Sequence, residues 1–199
     1  MTHADTLLPP SARPLRVAIT GGIGSGKSYV CRRLEQRGLR IYDCDAAAKR
    51  LMRTSEALQA RLRALIGPDA YSADGRLDKA VVARFLLASE QNARELDAIV
   101  HPAVAADFLQ SGYAWMECAI LYESGFDRLV DRVVVVSAPE EVRIERIVGR
   151  DAISPAKALE WIGRQWPQQE VRRRADYEIV NDGTRDLDAQ IDQLLQTLK

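Results

Sequence analysis

The sequence predicts an α/β fold of three layers, a five-stranded parallel sheet between helices, with an inserted helical lobe. Three observations carry that prediction. Short apolar runs recur at residues 16–20, 39–42, 113–118, 132–137 and 177–180, as strands buried on both faces do. Helical patterns separate them. Residues 46–110, between the second run and the third, carry helical pattern with no strand signal, too long a stretch for a simple crossover.

Each element has a local reason. The first strand, residues 16–20, runs into the glycine-rich stretch Gly21-Gly-Ile-Gly-Ser-Gly-Lys-Ser28, and a helix follows to Arg37, closed by Gly38. Residues 39–42 form the second strand, ending at Asp43-Cys44-Asp45. Turn residues break the helical lobe at Gly67-Pro68, at residues 72–75 and at His101-Pro102. Residues 113–118 and 132–137 return as strands. A helix over 139–149 starts with Pro139 in its first turn, and residues 151–154 link it to a helical stretch over 155–174 that breaks near Pro167. The last strand, residues 177–180, turns at Asn181-Asp-Gly183 into a closing helix over 186–198.

Composition narrows the class. With 199 residues, 47% of them hydrophobic and 28% charged, the chain is the size and make-up of one globular domain. Its 28 basic and 28 acidic side chains cancel, which argues against a wholly basic nucleic-acid binder. No run approaches the roughly 18 apolar residues of a membrane span. Residues 1–14 hold Pro9, Pro10 and Pro14 without an apolar core, and read as a loose tail rather than a signal peptide. Cys31, Cys44 and Cys118 show neither pairing nor metal spacing and read as buried thiols of a cytoplasmic protein. No nucleic acid, membrane or obligate protein partner is expected.

The most specific signal is Gly21-x-x-x-x-Gly26-Lys27-Ser28, a complete phosphate-binding loop between a strand and a helix. Glycines let successive backbone N–H groups close around phosphate oxygens, and the helix N-terminus adds partial positive charge. Gly22, Ile23, Gly24, Ser25, Gly26, Lys27 and Ser28 are therefore the expected nucleotide-binding residues. Lys27 is placed to reach the β- and γ-phosphates, and Ser28 to hold Mg²⁺. These features place the chain in the P-loop NTPase fold.

Residues downstream of the loop select among such proteins. A GTPase needs Asp-x-x-Gly and Asn-Lys-x-Asp elements; no glycine here has an Asp three positions before it, and neither Asn92 nor Asn181 precedes a Lys. A large motor needs more chain. A small kinase remains, and it requires a carboxylate near the acceptor hydroxyl, cations around the transferring group and a cover that excludes water. Asp43 and Asp45 stand at the strand edge where ligands bind in parallel sheets, either as general base and orienter or with one of them capping the next helix. Arg143, Arg146 and Arg150 lie at i, i+3 and i+7, on one helical face leading into a lid. Arg172-Arg173-Arg174 reads as a solvated helix end.

The order and spacing of these elements, from about Leu15 to Gly183, resemble the dephospho-CoA kinase family. Residues 20–28 look like its opening strand and loop, and Asp43-Cys-Asp45 like its Asp-x-Asp. Asp74-Gly-Arg-Leu-Asp78 with Phe85 downstream, His101-Pro102-x-Val104 and Leu121-Tyr-Glu123 resemble three further segments. Arg146, Arg150-Asp151 and Gln165 fall where the family's lid has them, and Asn181-Asp-Gly183 where it approaches the adenine. Tyr29 in place of Thr, Ala119-Ile120 in place of Pro-Leu, and Lys79 in place of Arg depart from the pattern.

The resemblance implies transfer of the γ-phosphoryl of ATP to the ribose 3′-hydroxyl of dephospho-CoA, the last step of coenzyme A synthesis. ATP and dephospho-CoA would be the partners and Mg²⁺ the metal. It implies Asp45 as general base, Lys27 and Arg150 as catalytic cations, and Arg146 and Asn181 among the nucleotide contacts. Within a single kinase domain, the core would comprise about 15–45, 111–149 and 175–199, the CoA-side lobe about 46–110, and the lid about 150–174. Another small nucleoside or nucleotide kinase, or a non-catalytic ATP-binding regulator, is the alternative to be separated by assay.

The neutral total also conceals opposite blocks. Residues 13–63 hold 12 basic and 4 acidic side chains and residues 143–174 hold 8 and 4, whereas residues 64–142 hold 6 and 13. The positive blocks are the loop region and the expected lid, where a polyphosphate belongs.

Overall fold

In the computed structural model, which describes residues 13–198, the apolar runs form one sheet. Its strands are Val17–Thr20 (β1), Ile41–Asp43 (β2), Trp115–Glu117 (β3), Arg132–Ser137 (β4) and Tyr177–Val180 (β5), in the order β2-β3-β1-β4-β5. All four pairings are parallel. β1 is buried along its whole length and β4 from its second residue onward, which is why neither alternates with polar residues. Glu117 is in register with both Ile19 and Asp43, so β1, β2 and β3 present their C-terminal ends at one edge. The tail expected at the N-terminus lies outside the described residues as far as residue 12.

Alternation across the sheet divides the core in two. Val17, Ile19, Val134 and Val136 face Lys27–Glu35 (α1) and Leu187–Thr197 (α9), packing on Val30, Leu34 and Ile191. Ala18, Met116 and Val133 face the other way, toward Leu62, Val104, Phe108 and Leu121. Helices therefore cover both faces.

The long helical stretch resolves into Cys44–Thr54 (α2), Glu56–Ile66 (α3), Lys79–Ala88 (α4) and Glu90–Gln110 (α5). Breaks at Ser55 and Ser89 come from side-chain caps: Ser55 accepts from Leu58 N–H, Ser89 from Asn92 N–H, and Asp78 caps α4 in the same way. The break expected at His101-Pro102 is absent, because α5 runs through Pro102. An interior proline costs about 3 kcal/mol. Val100, Val104 and Phe108, all on the buried face of α5, supply more than that by leaving water.

Beyond β4 come Glu140–Asp151 (α6), Pro155–Gly163 (α7) and Gln168–Arg174 (α8). α6 runs two residues past the expected end and stops where Ala152 takes φ 52°, a left-handed helix cap. The expected strands at 39–42 and 113–118 shift and shorten. Asp43 joins β2, and Tyr113 instead packs edge-on against Tyr42 at 5.8 Å. No helix among the described residues is long and apolar enough to cross a membrane.

Candidate active site

The loop after β1 is shaped by what lies behind it. Gly24 has φ +80°, and a Cβ there would stand 2.6 Å from the carbonyl oxygen of Arg143. Gly26, the residue before α1, has φ +85°, and a Cβ would meet Asn181 Nδ2 at 2.1 Å. Left-handed backbone against a tight wall admits only glycine at these positions. Several loop carbonyls already accept hydrogen bonds from side chains. Arg143 Nε donates to Ile23 O (2.9 Å), Asn181 Nδ2 to Ser25 O (2.9 Å), and Arg146 Nη1 to the oxygens of Gly24 and Ser25 (3.4 and 3.3 Å). A free carbonyl would repel a bound phosphate; these are occupied. The Ser25 side chain is buried and its hydroxyl finds no partner among the described residues.

Lys27 and Ser28 open α1, where backbone N–H groups and the helix dipole favour an anion. Lys27 Nζ is ion-paired with Glu117 Oε1, and Ser28 Oγ donates to the same oxygen at 2.9 Å. Burial pushes the Glu117 carboxyl up, but the Lys27 charge and hydrogen bonds from Lys27, Ser28 and Cys31 outweigh it and hold Glu117 below the usual carboxylate range.

A cavity of about 800 Å³ extends from this loop, bordered by Asp43, Asp45, Lys49 and Glu117 on one side and by Arg146 and Arg150 on the other. Asp43 and Asp45 have separate tasks. The Asp43 side chain accepts from Ala46 N–H at 2.9 Å and caps α2. Asp45, in the first turn of α2, accepts no hydrogen bond from a protein group among the described residues and faces the cavity.

The three arginines of α6 do not act as one face. Arg143 is only 4% exposed and braces the loop from beneath, with its pKa pulled down by burial. It lies one turn from buried Ile147, so it is on the packed side of the helix. Arg146 bridges the loop to Asn181 Oδ1 at 3.4 Å. Arg150 borders the cavity and pairs with Asp151 at 2.7 Å. Asn181 sits behind the loop and holds its shape. At the end of α8, Arg172, Arg173 and Arg174 are all exposed, as expected of a solvated helix end; Arg172 pairs with Glu178, and Arg174 lies over the Tyr122 and Trp166 rings.

The segment after α7 reaches back to the loop. Gln165 Oε1 accepts from Ile23 N–H at 2.7 Å. Next to it, Trp166 N–H donates to Glu123 at 3.4 Å, and its ring stacks on Tyr122 at 5.8 Å. His101 lies on α5 with Nε2 3.5 Å from Asp97 and its ring edge-on to Phe126. Cys31, Cys44 and Cys118 are free and buried.

Glu117 is the residue that sequence reasoning missed. It is a carboxylate at the end of a central strand, the same signal that singled out Asp43. Lys49 also went unnoticed, one turn beyond Asp45 on α2. The Ser28 hydroxyl with the Glu117 carboxylate is a hard-oxygen pair, which suits a small divalent cation sharing its shell with phosphate. No cluster of three or more His, Cys, Asp or Glu occurs among the described residues.

Comparison with known proteins agrees with this geometry. The family model described as dephospho-CoA kinase matches residues 15–186. A dephospho-CoA kinase of Bacteroides fragilis is 38% identical over 191 residues, 92% of this chain and 93% of that protein. A crystal structure from Thermus thermophilus superposes with a TM-score of 0.77 at 30% identity, covering 94% of this chain and 96% of that one. The dephospho-CoA kinase from Campylobacter jejuni shares the fold, with a TM-score of 0.66 at 20% identity over 92% of this chain and 96% of its own.

Proposed function

The chain belongs to the dephospho-CoA kinase family, and from that premise we propose how its residues divide the work. It is a kinase that phosphorylates dephospho-CoA to coenzyme A with ATP as co-substrate, the last step of coenzyme A biosynthesis. The acceptor atom is the ribose 3′-hydroxyl. Asp45 orients that hydroxyl and accepts its proton, since it is the cavity carboxylate with no protein partner and no capping duty among the described residues. That free carboxylate, facing the phosphate loop across one cavity, is the observation that carries the reading.

Lys27 neutralises charge developing on the transferred group, and Arg150, released from Asp151, closes on the phosphates from the lid side. Arg146 and Asn181 hold the loop in register from behind. Ser28 and Glu117 would hold Mg²⁺, which would supply positive charge to neutralise that developing on the transferred group. Residues 46–110 take the CoA side of the acceptor, and residues 150–174 form the lid within one kinase domain. Free, buried thiols support a cytoplasmic enzyme, and neither nucleic acid nor an obligate protein partner is needed for the reaction.

One assay decides. ADP release measured with dephospho-CoA, then with nucleosides and nucleoside monophosphates, is expected to depend on dephospho-CoA. Stimulation by nucleosides or monophosphates alone would reassign the acceptor, and release independent of any acceptor would argue for a regulator.

A further inference from the structure

Cys44 and Cys118 are free, buried thiols that phosphoryl transfer does not use, yet each adjoins a residue that it does use. Cys44 precedes Asp45, and Cys118 follows Glu117. We propose that the two form a redox modification site, which a hydroperoxide closes into a reversible disulfide that stops turnover. The pairing stands on geometry alone; its effect on rate rests on the role given to Asp45.

Strand register brings the two together. β2 and β3 are parallel with Asp43 opposite Glu117, so Cys44 and Cys118 come at the next position along. Neighbouring strands run roughly 4.8 Å apart, inside the Cα spacing of about 4.4–6.8 Å that a disulfide spans. Alternation turns both side chains to the face of Tyr42 and Met116, where all four share one apolar cluster. Although α2 begins at Cys44, the thiols still meet: a hydrogen bond joins Cys44 and Cys118. Cys31 is on the other side of the sheet, packed with Val30 and Leu34 and hydrogen-bonded to Glu117. Of the three cysteines, only this pair can close.

Access selects the oxidant. The thiols are 5% and 3% exposed, but both border a cavity of about 190 Å³ between α2, α5 and residues 118–126. Its rim includes the exposed Asp45. Hydrogen peroxide, with about the bulk of two waters at roughly 30 Å³ each, fits such a space. Oxidised glutathione is larger and anionic. Asp45 and Asp97 oppose it, and no Lys or Arg is among the described lining residues to offset them.

The step needs no other reactant. One sulfur attacks a peroxide oxygen and the O–O bond breaks, leaving a sulfenic acid; the departing hydroxide takes the thiol proton as water. The second sulfur attacks the sulfenic sulfur, so that S–S forms and S–O breaks, and a second water carries off its proton. Peroxide gains the two electrons that the sulfurs lose, and exchange with a dithiol reverses the bond. Closure draws the sulfurs to about 2.05 Å and pulls the first residue of α2 toward the end of β3. Asp45 and Glu117 are each one peptide away. A reacting group displaced by about 1 Å loses about 10²-fold in rate.

The test follows thiols and turnover together. In hydrogen peroxide, the thiols titrated after denaturation should fall from three to one, leaving Cys31. Digestion should yield a peptide linking Cys44 to Cys118, kcat should fall at least tenfold, and dithiothreitol should reverse all three changes. Cys44→Ala should keep its own turnover in peroxide; if that variant does not fold, Cys118→Ala carries the same expectation. Three thiols remaining, a link through Cys31, a link without loss of kcat, or equal inactivation of the alanine variant would each overturn the proposal. Reduced wild type with no dephospho-CoA-dependent ADP release would overturn the kinase reading alone, because the thiol count and the linked peptide decide the pairing without it.

Discussion

Lys27 and Glu117 face each other across the C-terminal edge of the sheet, and their ion pair leaves each side chain less than 15% exposed. Without nucleotide, the loop lysine therefore has its charge matched by the strand carboxylate. In the proposed reaction a bound polyphosphate would draw Lys27 away, and that same exchange would free Glu117 to face a cation.

Glu117→Gln should consequently have two effects. The amide still accepts from Ser28 but no longer matches the lysine, so the nucleotide-free protein should lose about 2 kcal/mol of stability. The half-saturating Mg²⁺ concentration for turnover should rise about tenfold or more. Urea unfolding and a Mg²⁺ titration of ADP release read the two separately. An unchanged metal requirement would remove Glu117 from the metal site.

Asp45→Asn should lower turnover by about 10²–10⁴-fold with ATP affinity nearly intact. Asp43→Ala should chiefly lower stability, by about 1 kcal/mol, through loss of the α2 cap. Calorimetric ATP titration, steady-state rates and thermal melts on both variants distinguish base from cap. The opposite pattern would exchange the two assignments.

At Gly26 the backbone and the wall oppose a side chain independently. Alanine at φ +85° costs about 1–2 kcal/mol, and its Cβ displaces the Asn181 amide from Ser25 O. ATP should bind at least tenfold more weakly to Gly26→Ala. Adding Asn181→Ala removes the overlap but not the backbone strain, so part of the affinity, and only part, should return in the double variant.

Acid should loosen the start of β1. Arg13 holds Asp131 through two hydrogen bonds of 2.7 and 2.6 Å, and Arg16 N–H adds a third. The Arg13 bond chiefly holds the Asp131 carboxyl below its ordinary value of 3.8, against a burial that raises it. A carboxyl depressed in the folded state contributes stability above its unfolded pKa, and that contribution is lost as pH falls through the folded value. Asp131→Asn should melt below wild type at pH 7, and the gap should close as pH drops below about 3.8. A gap that persists well below the folded value would assign the difference to packing.

Much of this molecule was readable before its structure. Where one residue type has a single physical use, position sufficed: the glycines before Lys27 and the apolar run of β4. What escaped depends on contacts between elements distant in sequence. Pro102 looked like a stop because its local cost is visible and the burial of Val104 and Phe108 that offsets it is not. Arg143 looked like a third clamp because spacing reports the face of a helix and not what lies against it. Serine is a weak signal wherever it falls, so the caps at Ser55 and Ser89 were silent. Glu117 became significant only when parallel register set it beside Ile19 and Asp43.

The peptide unit of Ile23 has its N–H on Gln165, in the segment after α7, and its C=O on Arg143, one turn above the start of α6. A peptide gripped at both ends cannot swivel alone. Any displacement of residues 164–167 breaks the first bond, and any rotation of the loop amide breaks one or both. The loop is therefore latched rather than slack: it and the segment after α7 share a fastening, and neither can rearrange without the other registering the change.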